Sequence, residues 1–135
     1  MTANGSCLCA GVRFSVAGPL RAVIACHCGQ CRKTSGHYVA ATSAARGDVR
    51  FAAEAPLRWF DSSATARRGF CETCGSSLFW EEPGSGRLSI HVGCLDGATG
   101  LPTAAHIFCA DKGDYYELPH DAPHFAGDDR KATAT

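Results

Sequence analysis

A chain of 135 residues has room for one ordinary domain and too little for two. Its 13 lysines and arginines balance 13 aspartates and glutamates, so no basic excess exists to hold nucleic acid or an anionic membrane. Apolar content of 45% is that of an ordinary globular protein, and no apolar run reaches membrane-spanning length.

In chain order, the opening MTANGSCLCAG has neither a basic nor an apolar leader region, so a secretory signal is not expected and a cytoplasmic location is. VRFSVAG then alternates, with Val12, Phe14 and Val16 on one face and Arg13 and Ser15 on the other, the pattern of a half-buried strand. Further strands are expected over Arg21–Ala25, Tyr38–Ser43, Val49–Ala52, Leu57–Phe60, Arg67–Phe70, Ser77–Trp80, Leu88–Val92 and His106–Ala110. A single helical turn is expected at Cys31–Gly36, closed by its glycine. Many short strands separated by glycine and polar clusters predict an all-β sandwich or barrel-like fold. A single domain is expected over residues 1–125, followed by a small, polar, flexible tail over 126–135.

Nine cysteines dominate the chemistry. An odd count in a reducing compartment points to metal ligation in preference to a disulfide framework. Seven fall in three groups: Cys7 and Cys9 as C-x-C, Cys26, Cys28 and Cys31 as C-x-C-x-x-C, and Cys71 and Cys74 as C-x-x-C before Gly75. The last is a zinc-knuckle spacing, which directs two sulfurs at one ion and needs two further ligands. C-x-C puts two sulfurs on one face of an extended segment, where a disulfide would be strained. Sequence alone allows the knuckle to pair with Cys7 and Cys9 or with two of the central three. Seven ligands divide as four plus three, which favours Cys7, Cys9, Cys71 and Cys74 as a closed structural site. Cys26, Cys28 and Cys31 are then left as a site with an open position, and soft sulfur donors select zinc. His27 alternates with two ligands and is expected to point away from them. Cys94 and Cys109 read as small core residues near strand ends.

GSCLCAGVRF, CHCGQCRKTSG, FCETCGSSLF and LDGATGLPTAAHIF together resemble the glutathione-dependent formaldehyde-activating enzyme family, to which centromere protein V also belongs. The likeness runs from about Gly5 to Phe125 and departs from the family pattern at Tyr115 and Tyr116, near which a tryptophan is usual. It implies a β-tent of packed antiparallel sheets around a structural zinc held by Cys7, Cys9, Cys71 and Cys74. It also implies a catalytic zinc on Cys26, Cys28 and Cys31. The implied activity is that of a carbon–sulfur lyase joining a glutathione-like thiol to formaldehyde or another aldehyde, or cleaving the adduct. Arg32 and Lys33, next to Cys31, are placed to offset the negative charge of the sulfurs or meet a substrate carboxylate. His106 reads as a satisfied structural histidine, with proton transfer as its other role. Asp96 reads as a turn aspartate before Gly97. The competing readings are a non-catalytic zinc-stabilised binding module and a thiol-based redox or metal sensor.

Overall fold

The computed structural model describes residues 2–128. Among them the chain runs β1 (Ala3–Ser6), β2 (Arg13–Val16), β3 (Val23–Cys26), α1 (Gly29–Ser35), β4 (Val39–Ala45) and β5 (Val49–Ala53). It continues through β6 (Leu57–Asp61), β7 (Arg67–Cys71), β8 (Ser77–Glu81), β9 (Arg87–His91) and β10 (Thr103–Ile107). Three 3-10 turns lie at Arg46–Asp48, Val92–Cys94 and Cys109–Asp111. The all-β expectation holds. The chain divides into two compact units, one made of residues 2–21 and 42–100, the other of residues 22–41 and 101–128.

The first unit packs two sheets. β1, β2 and β5 form a three-stranded antiparallel sheet in the order β1-β2-β5, and the second half of β4 continues through β9, β8, β7 and β6. Alternation decides which face is buried. Val12, Phe14 and Val16 are 0%, 3% and 0% exposed, and Leu88 and Ile90 are fully buried. Phe79 of β8 is the joint between the sheets, meeting Phe14 edge-on at 5.1 Å and Phe51 at 5.8 Å. Aromatic pairs of this geometry add about 0.5–1.5 kcal/mol each beyond their buried area. On the other side of Phe79 the cross-strand row is Trp59, Gly69, Phe79. Gly69 has no side chain, so the Trp59 ring stacks on Phe79 across it; a Cβ there would lie 3.0 Å from the indole. Each adjacent aromatic pair splits as strand alternation requires, with Phe79 buried and Phe60 62% exposed.

The second unit is smaller. β3 pairs antiparallel with the start of β4, and it pairs parallel with β10, an exception to the antiparallel pattern. Ile24, Ala105 and Ile107 form its core, with Cys26, Phe108 and Phe125 packed on them. β10 ends earlier than the expected His106–Ala110 strand because Phe108 turns into the left-handed region (φ 54°) and opens the turn containing Cys109. Cys94 likewise lies in a 3-10 turn and not at a strand end. Of the expected tail, Gly127 accepts a backbone hydrogen bond from Phe108 at 3.1 Å, and residues 129–135 lie outside the described residues.

Candidate metal centres

Two cysteine clusters emerge, one in each unit. In the first unit, β7 delivers Cys71 and the following turn delivers Cys74. Gly75 takes φ 78° there, and its N–H closes the turn onto the Cys71 carbonyl at 2.8 Å. Cys7 and Cys9 sit in the loop between β1 and β2. The four sulfurs lie within 4.8 Å of one another. Cys7 Sγ and Cys9 Sγ are 3.6 Å apart, and Cys9 Sγ and Cys71 Sγ 3.7 Å. Thiolates bound tetrahedrally to one ion by bonds of about 2.3 Å stand about 3.8 Å apart. A disulfide would bring a pair to about 2.05 Å. The donors therefore fit a zinc-sized ion. The Val12 N–H donates to Cys7 Sγ at 3.3 Å, and Ser76 Oγ lies 3.2 Å from Cys74 Sγ. Hydrogen bonds from the Ser76 hydroxyl and N–H bring the Cys74 thiol down to about 5.

In the second unit, Cys26 ends β3, and Cys28 caps α1 with extended backbone (φ −67°, ψ 165°). The helix starts at Gly29, two residues before the expected turn, because Cys28 Sγ accepts from the Cys31 N–H at 3.4 Å as an N-cap oxygen would. Gly36, in the left-handed region, closes it. Cys26, Cys28 and Cys31 thus bring three sulfurs within 4.8 Å of one another, with Cys31 buried and the other two half-buried. Among the described residues this cluster counts three donors where the first counts four. None of the nine cysteines forms a disulfide. Crowding separates the thiols: hydrogen bonds from Cys26 and Cys31 hold Cys28 down, while Cys28 and Cys31 push Cys26 far up. Three soft sulfurs at this spacing suit zinc better than the oxygen-seeking calcium and magnesium.

The residues beside the triplet divide in use. Arg32 donates to the Asp111 carbonyl at 3.4 Å, and Lys33 points to solvent on the exposed side of α1. His27 turns away from the sulfurs, as alternation predicts. Its Nδ1 lies 2.8 Å from the Tyr116 hydroxyl and its Nε2 2.9 Å from His106 Nδ1. His106 Nε2 in turn meets Asp121 at 2.7 Å, so His106 is satisfied at both nitrogens. Burial, then the neighbouring His106, hold the His27 imidazole down to about 4. Asp121 carried no sequence signal and Tyr116 only that of a departure from the family pattern; they lie 15 and 89 residues from their partners in no recognisable spacing. Asp96 precedes the left-handed Gly97, but its carboxylate accepts from the Ser6 hydroxyl at 2.9 Å and its N–H donates to the Asn4 carbonyl, so it ties this loop to β1.

A two-unit β fold with one cysteine quartet and one cysteine triplet narrows the class, and comparison with known proteins agrees. The family model described as glutathione-dependent formaldehyde-activating enzyme matches residues 2–111. The uncharacterized lyase C29B12.13 of Schizosaccharomyces pombe is 24% identical over 128 residues, which is 93% of this chain and 92% of that protein. The crystal structure of a Rhodobacter sphaeroides protein, a structural genomics target, superposes with a TM-score of 0.60 at 25% identity. That match covers 72% of this chain and 91% of the other. The chain belongs to the glutathione-dependent formaldehyde-activating enzyme family.

Proposed function

We propose that the protein is a zinc-dependent carbon–sulfur lyase that forms or cleaves the adduct of a glutathione-like thiol and an aldehyde such as formaldehyde. One observation carries the reading: Cys26, Cys28 and Cys31 converge as three sulfurs, one short of a closed site, on a half-buried turn. In this reading they hold the reactive zinc, and Cys7, Cys9, Cys71 and Cys74 hold a structural one. Bound there, zinc supplies the positive charge that lowers the pKa of a coordinated thiol and orients its sulfur.

The reaction itself is an addition. The substrate sulfur forms a bond to the aldehyde carbon, the carbonyl π pair moves onto oxygen, and the proton lost by the thiol ends on that oxygen; cleavage runs the same steps backward. The chain contributes around this. The Cys31 N–H donates to Cys28 Sγ and steadies negative charge on that sulfur. Arg32 lies one residue beyond Cys31 and offsets the excess negative charge that three thiolates bring. Thiolate ligands must stay reduced, and this supports a cytoplasmic location.

The test is zinc per chain in the parent and in Cys28→Ser, together with glutathione–formaldehyde adduct turnover by exchange NMR. Two ions falling to one, with exchange abolished, is the expected result. Unchanged metal content in the variant removes the triplet as a reactive site.

A further inference from the structure

His27 and His106 are the two largest fully buried polar side chains outside either sulfur cluster, 0% and 1% exposed. All four of their ring nitrogens are engaged in one unbranched chain: Tyr116 Oη, His27 Nδ1 and Nε2, His106 Nδ1 and Nε2, Asp121 Oδ1. The successive separations are 2.8, 2.9 and 2.7 Å, all within good hydrogen-bond distance.

The direction of every bond follows from the far end. An ionised carboxylate only accepts, so His106 Nε2 carries a proton and donates to Asp121. In the tautomer of His106 that carries its one proton at Nε2, Nδ1 is a lone pair, and His27 donates to it from Nε2. His27 Nδ1 is then a lone pair, and the Tyr116 hydroxyl must donate to it. Asp121, 53% exposed at its side chain, thereby sets the tautomer of a histidine with no access to water.

That histidine sits between two sulfurs in sequence. Its ring lies against Tyr38, centroids 4.4 Å apart, and against Tyr116 at 5.6 Å. Its backbone N–H donates to the Ile107 carbonyl at 3.0 Å. Side chain and main chain of the residue between Cys26 and Cys28 are thus both held in place. The acid end is pinned as well: His106 donates its backbone N–H to Pro123, and Phe125 donates to His106, at 2.9 and 2.8 Å.

We infer that Asp121, His106, His27 and Tyr116 form a brace of fixed hydrogen-bond direction that positions Cys26 and Cys28 for metal. This deepens the zinc-lyase reading and rests on it. The four are positioning residues: they act through the backbone of the Cys26–Cys28 turn. Support one step behind the ligands raises affinity by removing the cost of ordering them at the moment of binding, an effect of about 10–100-fold where measured.

The experiment uses the protein as purified, with its metal, at pH 8, where an unshifted imidazole is neutral. Nitrogen-15 NMR of the histidine rings reads the tautomers directly, and a competing chelator times release of each metal ion. Two variants are compared with the parent: Asp121→Asn, an exposed position whose amide can donate as well as accept, and Tyr116→Phe. The parent is expected to show both His27 and His106 protonated at Nε2. Asp121→Asn is expected to populate the Nδ1–H form of His27. Both variants are expected to release the triplet ion about tenfold faster, with release from the quartet unchanged as an internal check on folding. A parent with His27 protonated at Nδ1 overturns the brace. A parent with two ions and unchanged release in both variants overturns it too, while leaving the zinc-lyase reading intact. A parent with one ion overturns the site reading itself, and the brace with it.

Discussion

The sharpest consequence of dividing seven sulfurs as four and three is that losing one from each set should have unlike effects. Cys71 is the member of the quartet to change: its side chain is 0% exposed, it terminates β7, and its backbone anchors the knuckle through Gly75 and Ser76. Cys71→Ser replaces a thiolate with a poor zinc ligand at a site where the remaining sulfurs are spaced for a tetrahedron. A structural zinc of this kind contributes about 10–16 kcal/mol of binding free energy at neutral pH, which is folding free energy. The whole stability of a domain is about 5–15 kcal/mol. If the other three sulfurs keep the ion at two-thirds of that strength, about 3–5 kcal/mol is still lost. For a chain of this size each kcal/mol moves the midpoint by roughly 3–5 °C. Cys71→Ser should therefore melt at least about 10 °C below the parent, whereas Cys28→Ser should fall less than half as far. Thermal unfolding followed by circular dichroism, with zinc counted on the same samples, reads both. Equal drops, or a larger one for Cys28→Ser, would refute the assignment of the quartet as the structural set.

Two further outcomes follow from groups away from the sulfurs. Glu81 is 6% exposed and accepts from Arg46 Nε at 2.9 Å and from Arg67 Nε and Nη2 at 2.9 and 2.6 Å. Both arginines are about a third exposed, which screens the pairing, so Glu81→Gln should cost about 2–3 kcal/mol in denaturant unfolding; a loss under about 1 kcal/mol would count against a buried ion-pair role. His91 has an unpartnered buried Nε2, and burial, then Arg68, hold its imidazole down to about 4. The folded state thus favours neutral His91, while the unfolded chain takes up a proton near the ordinary value of about 6.5. This contribution is complete above that value and is lost as pH falls from about 6.5 toward 4, reaching about 3 kcal/mol for a gap of about 2.5 units at 1.36 kcal/mol each. An NMR titration of the His91 ring should show it still neutral at pH 5.5, and half-protonation above pH 6 would contradict the reading.

Strands were legible where one face is buried, because burial imposes a period of two on the sequence, as in Val12–Phe14–Val16 and Leu88–Ile90. β1 was not, since Ala3–Ser6 contains an asparagine and a glycine, both poor strand formers. It is a strand because it pairs with β2, and Gly5 is required opposite Phe14, whose ring would lie 2.2 Å from any Cβ placed there. The sulfur clusters were legible because ligands to one ion fall in short local spacings. The Tyr116–His27–His106–Asp121 chain was not. Its members meet only through the pairing of β10 with β3 and the return of residues 121–125 alongside β10, contacts with no local signature.

The triplet also raises the question of why its own histidine does not complete it. CHC offers an imidazole between two thiols, and a fourth ligand from it would close the site as firmly as the quartet. The structure commits that imidazole elsewhere. Its two nitrogens are held at 2.8 and 2.9 Å by Tyr116 and His106, and turning either toward the sulfurs would break both bonds and leave the buried His106 Nδ1 unpaired. Such an orphan costs about 1–3 kcal/mol. The same contacts that hold the Cys26–Cys28 turn would therefore keep its one built-in candidate ligand from capping an ion bound there. In the zinc-lyase reading, a single hydrogen-bonded chain would supply both the rigidity and the open fourth position that a reactive thiol site requires.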